Sequence, residues 1–160
     1  MKREFSAGGI VFNNQGQILV TQHSQNKHWS FPKGLIDPGQ TSQQAAVREV
    51  KEEGGVEAEI LDKVGYNKYV YTLDGEKIFK VVTYFLMKYI SGDPKDHDWE
   101  VSEAGWYSPE DALKRLDFSQ DKDLLRIAIE KILSLPRRTL PFVDTKGKSL
   151  LKKALEMYGK

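Results

Sequence analysis

An α+β fold is what this chain predicts, and three observations carry it. Two stretches rich in β-forming residues each break at a turn signal and then resume, the pattern of a hairpin. Three other segments read as helices, and two of them open on a cap residue. The length of 160 residues suits one domain around one core.

The elements follow in order. Phe5 to Phe12 reads as a strand, Asn13-Asn14-Gln15-Gly16 as a turn, and Gln17 to Gln22 as the returning strand. Gly8 and Gly9 inside the first strand predict a close backbone approach. Trp29-Ser30-Phe31-Pro32-Lys33-Gly34 is a short aromatic strand end entering a Pro/Gly loop. Thr41 or Ser42 caps a helix that runs to about Glu53 and stops at Gly54-Gly55. Val56 to Val64 is extended. Tyr66 to Thr72 and Glu76 to Ile90 flank an Asp74-Gly75 turn, a second hairpin. Ser91-Gly92-Asp93-Pro94 breaks the chain, and Ala104 to Tyr107 forms a short strand. Ser108 caps a helix with Pro109 at its first position. Another helix spans about Gln120 to Leu133. A basic tail with Arg137, Arg138 and Pro141 ends in an amphipathic stretch from Ser149 to Tyr158.

Composition narrows the function. Apolar residues make up 39% and charged residues 29%, as in a soluble protein. With no cysteine, a disulfide scaffold, a thiolate metal site and a catalytic thiol are all excluded. The longest apolar run, Val81 to Met87, is far shorter than a membrane span. Met1 to Phe5 lacks the apolar stretch of a signal peptide, so a cytoplasmic location is the expectation. The net charge of +1 hides an asymmetry. Residues 1–130 hold 16 basic and 21 acidic side chains, a balance of −5. Residues 131–160 hold 8 basic and 2 acidic, a balance of +6.

The chemistry concentrates in the helix that carries Arg48-Glu49-Val50-Lys51-Glu52-Glu53. At helical spacing Glu49, Glu52 and Glu53 share an arc of roughly 100°. Like charges there repel, so the helix alone gains nothing from them. One reading is a solvated acidic face bridged by Arg48. The other is a carboxylate cluster for a hard cation such as Mg²⁺ that bridges to phosphate.

Spacing separates the two. Gly34, Arg48, Glu49, Val50, Glu52, Glu53, Gly55 and Val56 match G-x5-E-x7-R-E-U-x-E-E-x-G-U, with U aliphatic. The segment resembles the Nudix box. Gln40 stands where that box has Glu, keeping the hydrogen-bonding shape but losing the charge. The resemblance covers most of residues 1–133. It implies an α/β/α sandwich with a mixed sheet and a loop–helix–loop box, in a domain of residues 1–135. Residues 136–160 would then be a basic extension with a short amphipathic helix. It further implies Mg²⁺-dependent hydrolysis of a pyrophosphate bond, with Mn²⁺ as a substitute. Gly34, Glu49, Glu52 and Glu53 match the metal-site positions, Glu52 and Glu53 would also serve catalysis, and Arg48 matches the arginine that orients the box. Family members often supply a general base from a later loop. Glu100 and Glu103 are the candidates, with Glu100 favoured because it sits further into the irregular segment.

Substrate follows from two further segments. Trp29 to Gly34 resembles the W-x-F-P-K-G entrance of diadenosine polyphosphate hydrolases, and Glu103 to Ala112 resembles the segment after the box in the small bacterial enzymes of that group. Lys33 would grip a phosphate, Tyr69 or Tyr71 would stack on adenine, and His28 flanks the entrance. No Pro lies between Pro38 and Pro94, unlike the ADP-ribose hydrolases of the superfamily. The expected substrate is a small nucleotide, a diadenosine polyphosphate with ATP as one product, handled by a monomer or homodimer with no membrane partner. Two rivals are carried. One is an RNA 5′-pyrophosphohydrolase that uses the basic tail on nucleic acid. The other is a nucleotide-binding sensor without turnover, supported by Gln40 alone.

Overall fold

The computed structural model describes residues 2–136 and 143–158. β1 (Lys2–Phe12) and β2 (Ile18–His23) meet as the expected hairpin, closed at Phe12↔Ile18. Asn13 Oδ1 holds the turn by accepting from the amides of Gln15 at 3.1 Å and Gln17 at 2.9 Å. β1 then runs parallel to β6 (Glu76–Gly92), from Lys2↔Ile78 to Phe12↔Lys88. β2 also pairs antiparallel with β7 (Val101–Tyr107) along the edge opposite β1, and with β3 (Trp29–Ser30) at Thr21 and Gln22 on the edge opposite β7. The sheet is mixed, in the order β3-β2-β1-β6-β5.

The glycine prediction in β1 is realised. β4 (Lys33–Leu35) lies antiparallel on β1 with Gly8 opposite Lys33. A Cβ on Gly8 would stand 2.3 Å from the Pro32 carbonyl oxygen, so only glycine lets β4 approach.

β5 (Val56–Leu73) corrects one expectation: the two extended pieces are a single strand. Register shifts at Glu57/Ala58, Ile60/Asp62 and Lys63/Gly65 absorb the misfit, so pairing with β6 continues through Gly65↔Tyr84. The hairpin turn is Asp74-Gly75, with φ of 51° and 78° as an Asp-Gly turn requires.

α1 (Ser42–Gly54) starts on a capping box. Thr41 accepts from the Gln44 amide, and the Gln44 side chain reaches back to the Thr41 amide. It ends at Gly55, whose left-handed φ of 74° lets its amide reach the Lys51 carbonyl. α2 (Pro109–Arg115) is capped by Ser108, and α3 (Ser119–Leu133) follows. α4 (Thr145–Tyr158) begins earlier than the apolar spacing indicated, because Asp144 Oδ1 accepts from the Gly147 amide at 2.6 Å. Arg137, Arg138, Pro141 and Lys160 lie outside the described residues.

Period-two alternation sorts the strands onto two cores. Ala7, Val11, Leu19, Phe85 and Met87 face α1, packing on Ala45, Ala46 and Val50. Ile10, Phe12, Ile18, Val20, Val82, Tyr84 and Leu86 face the other way, onto α2, α3 and α4. Leu151 and Ala154 of α4 are fully buried in that second core. This is an α/β/α sandwich, and among the described residues α1 is the one α-helix on its face. Among the described residues no helix is long and apolar enough to cross a membrane.

One polar group sits inside the second layer. Asp121 opens α3, is fully buried, and accepts a hydrogen bond from the buried Asn67 amide on β5. Its other carboxyl oxygen has no hydrogen-bond partner among the described residues. Burial pushes its pKa up from 3.8 to about 6, against the attraction of Lys33 and the Asn67 bond. A raised folded-state pKa gives stability that is full below the unfolded value and lost as pH rises through 6. We expect Asp121→Asn to stabilise the protein at pH 8 by about 1–3 kcal/mol and to give no gain at pH 4, read by denaturant unfolding at both pH values. An equal effect at both would mean the charge is not responsible.

Candidate active site

α1 aims its carboxylates at the backbone of β4. Glu49 and Glu53 are one turn apart, each only 7% exposed. The Glu49 carboxyl lies where a side chain on residue 34 would be: a Cβ on Gly34 would meet its atoms at 2.2–2.5 Å. Glu53 accepts from the Lys33 amide at 3.0 Å. Burial raises Glu49 to about 6, with Arg48 opposing. Burial also raises Glu53 to about 7, opposed by the Lys33 amide and ammonium and reinforced by Glu49 and Glu100.

Arg48 ties this arrangement together. One guanidinium nitrogen donates to Glu49 at 2.8 Å and to Glu52 at 3.1 Å. Another donates to the Leu35 carbonyl at 3.0 Å and to Gln40 Oε1 at 3.3 Å, with Asp37 at 3.4 Å. Gln40 Oε1 also accepts from the Asp37 amide at 3.2 Å. Gln40 therefore supplies the oxygen that joins the loop to the arginine.

Glu49, Glu53, Glu100, Lys33 and Lys80 line one cavity of about 310 Å³. Glu52 is half-exposed, bound to Arg48, and does not line it. Glu103 sits exposed on β7 opposite Gln22, away from the cavity. The two candidate bases thus occupy different places, and Glu100 is the one beside Glu49 and Glu53.

A second cleft of about 440 Å³ adjoins the first and shares His23, Lys33 and Lys80 with it. Its walls bring together His28, Tyr69 and Tyr71, with Phe118 from the loop before α3. Phe118 stands 5.0 Å from the His28 ring and 6.1 Å from Tyr69 in an edge contact. Tyr71 lies at the rim and donates to Glu4. The Lys33 ammonium donates to Ser30 Oγ at 3.1 Å. Burial, and then the neighbouring Lys33, push the Lys80 pKa down.

Lys80 and Phe118 were not among the sequence candidates, whereas His23 flanks the entrance loop with His28. Lys80 had a signal: it interrupts the apolar strand Ile78-Phe79-Lys80-Val81-Val82. Phe118 had none, because Tyr69 is distant in sequence.

The donor set suits a hard divalent cation. It offers oxygen atoms only, two buried carboxylates that repel each other, and a glycine that leaves room for one of them. Among the described residues no three His, Cys, Asp or Glu side chains form a cage by themselves. Mg²⁺ commonly needs no cage, taking one or two carboxylates and completing its shell with water and substrate phosphate.

A model of the NUDIX domain matches residues 2–126. The chain belongs to the Nudix hydrolase family. A bis(5′-nucleosyl)-tetraphosphatase of Caenorhabditis elegans is 36% identical over 122 residues, covering 75% of this chain and 83% of that protein. An RNA pyrophosphohydrolase of Erythrobacter litoralis is 29% identical over 148 residues, covering 81% and 90%. A MutT4 protein of Mycobacterium tuberculosis is 33% identical over 138 residues, and the match spans only 56% of that protein's length. Among solved structures, a C. elegans Ap4A hydrolase binary complex aligns with a TM-score of 0.64 and 27% identity, over 82% of this chain and 99% of that one. This Nudix chain thus has the family fold as well as the box.

Two substitutions test the geometry. Gly34→Ala is expected to displace the Glu49 carboxyl and to lower turnover by about 100-fold or more, since misplacing a catalytic group by about 1 Å has that effect. Its circular dichroism should stay native. Gln40→Glu is expected to change kcat by less than about threefold, the scale of one exposed ion pair, because the oxygen Arg48 needs is already present. A large gain would show that the missing charge limits the enzyme.

Proposed function

We propose that this Nudix hydrolase cleaves a phosphoanhydride bond in dinucleoside polyphosphates, with ATP as a product when the substrate is diadenosine tetraphosphate. The observation that carries this reading is the junction of two recesses across Lys33 and Lys80. One recess is walled by aromatic rings and the other by carboxylates. A flat base fits the first, a phosphate chain fits the lysines, and the scissile phosphorus lies over the second. The Nudix relative that acts on bis(5′-nucleosyl) tetraphosphates supports it.

Glu49 and Glu53 would hold the divalent cation, with the Gly34 carbonyl beside them and Glu52 acting through Arg48. Bound there, Mg²⁺ or Mn²⁺ supplies the charge neutralisation that a polyphosphate needs in order to accept a nucleophile. Lys33 and Lys80 hold the phosphate oxygens in place. Tyr69 and Phe118 flank the base, with His28 behind Phe118 and Tyr71 at the rim. Glu100 takes a proton from the attacking water as its oxygen bonds to phosphorus. The anhydride P–O bond breaks, and the departing phosphate carries away the electron pair. The same proposal takes residues 1–135 as the catalytic domain and 136–160 as an extension whose helix completes its core.

The RNA reading has one observation in its favour, the similarity to an RNA pyrophosphohydrolase. A hydrolysis panel with Mg²⁺, its nucleotide products separated by ion-exchange chromatography, decides between them, over diadenosine tetraphosphate, ADP-ribose, nucleoside triphosphates and 5′-triphosphate RNA. We expect diadenosine tetraphosphate to give the highest kcat/KM. Glu53→Gln should lower every rate by several powers of ten while leaving unfolding unchanged. Faster turnover of RNA would replace the proposal, and tight binding without hydrolysis would favour a sensor.

A further inference from the structure

Trp99 is out of place as a surface residue. It is 77% exposed, the largest value among the exposed large apolar side chains. Its indole has no ring contact, cation contact or hydrogen bond among the described residues. Single exposed apolar residues are ordinary, but this one is held on a pinned segment. The Asp98 amide donates to the Glu52 carbonyl at the end of α1, at 2.7 Å. The Glu100 amide donates to Asp98 Oδ1 at 3.1 Å, and the Ser24 amide donates to the Glu100 carbonyl at 2.9 Å. Backbone bonds on both sides of Trp99 therefore fix where the ring is presented.

What lies beside the ring matters more. A recess of about 190 Å³ is lined by Trp99, His23, the Ser24-Gln25 turn and Glu100. His23 and Glu100 also line the carboxylate cavity. That cavity shares His23, Lys33 and Lys80 with the aromatic cleft of Tyr69 and Phe118. The three recesses adjoin as one groove with His23 on the wall of each, and it offers an aromatic wall, a charged recess and an aromatic ring. A ligand that fills it has two flat π systems joined by a chain of anions. A mononucleotide fills only one end.

We propose that Trp99 is the stacking platform for the second nucleobase of a dinucleoside polyphosphate. The proposal rests on the hydrolase reading above and names the part of the substrate that reading leaves unplaced. Stacking on an indole face is tolerant of base identity, because every base has a π face. The distal position therefore accepts adenine or guanine with similar affinity, and the aromatic cleft on the other side carries any stricter choice.

The test is calorimetric and needs no turnover. Wild type, Trp99→Ala and Trp99→Phe are titrated, with Mg²⁺, with methylene-bridged diadenosine tetraphosphate and with methylene-bridged adenosine 5′-tetraphosphate. Losing one base–aromatic stack predicts an affinity loss of about 5- to 150-fold for Trp99→Ala on the dinucleoside ligand. The ligand with no second base should change by less than about twofold, and Trp99→Phe should recover most of the loss. An equal loss on both ligands would overturn the proposal and assign Trp99 to positioning Glu100. No loss on either would overturn it outright. Formation of ATP and AMP from unmodified diadenosine tetraphosphate by wild type is measured alongside and tests the hydrolase reading by itself. A protein that binds the dinucleoside through Trp99 but cleaves nothing would sink that reading and leave the platform standing.

Discussion

Glu49 and Glu53 point from one face of α1 into the backbone of β4, and so close an approach is possible only because residue 34 has no side chain. Two carboxylates drawn together away from water repel each other and lose hydration. The surroundings offset this with backbone as much as with charge: the Lys33 amide serves Glu53, and Arg48 serves Glu49. The same guanidinium holds the Leu35 carbonyl and Gln40, so the loop cannot shift without disturbing the helix. The close approach of Gly8 to Pro32 places β4 in turn. The cavity is the product of two close approaches made possible by glycine, at Gly34 and Gly8, and one arginine that locks them.

Charge then grades across the molecule over a short distance. The carboxylates occupy one recess, and Lys33 and Lys80 stand where it meets the next. Burial, and then the neighbouring Lys33, lower the basicity of Lys80. A polyphosphate laid over the two lysines relieves their repulsion. An acidic body with a net −5 would otherwise keep such an anion away. Local cations at the recess boundary, not the overall balance, decide what can approach.

Much of this was legible in the sequence wherever the signal was local. Thr41 and Ser108 read as caps because a side-chain oxygen reaches an amide three residues on. Asn13 to Gly16 and Asp74-Gly75 read as turns for similar reasons. The box residues were legible as a set, but their separate postures were not. That Glu52 would turn to Arg48 while Glu49 and Glu53 turned inward depends on β4, which arrives from another part of the chain. Lys80 lines the cavity only because β6 lies parallel to β1 with Lys80 opposite Glu4. Parallel pairing joins strands far apart in sequence, and no short window reports it. Gly65 marked a break by composition, yet β5 passes through it because the register shifts before it restore the pairing.

The contact between α4 and the first turn has a consequence for how the chain reaches this state. Gly147 packs so tightly that a Cβ there would stand 2.6 Å from the Gln15 carbonyl, and the Asp144 amide donates to the Asn14 carbonyl at 2.9 Å. An early hairpin and a late helix thus close on each other across nearly the whole chain. Leu151 and Ala154 can seal the second core only after the other elements have assembled. During synthesis the part of the second core that α4 covers stays open until that helix emerges, which exposes apolar surface late in folding.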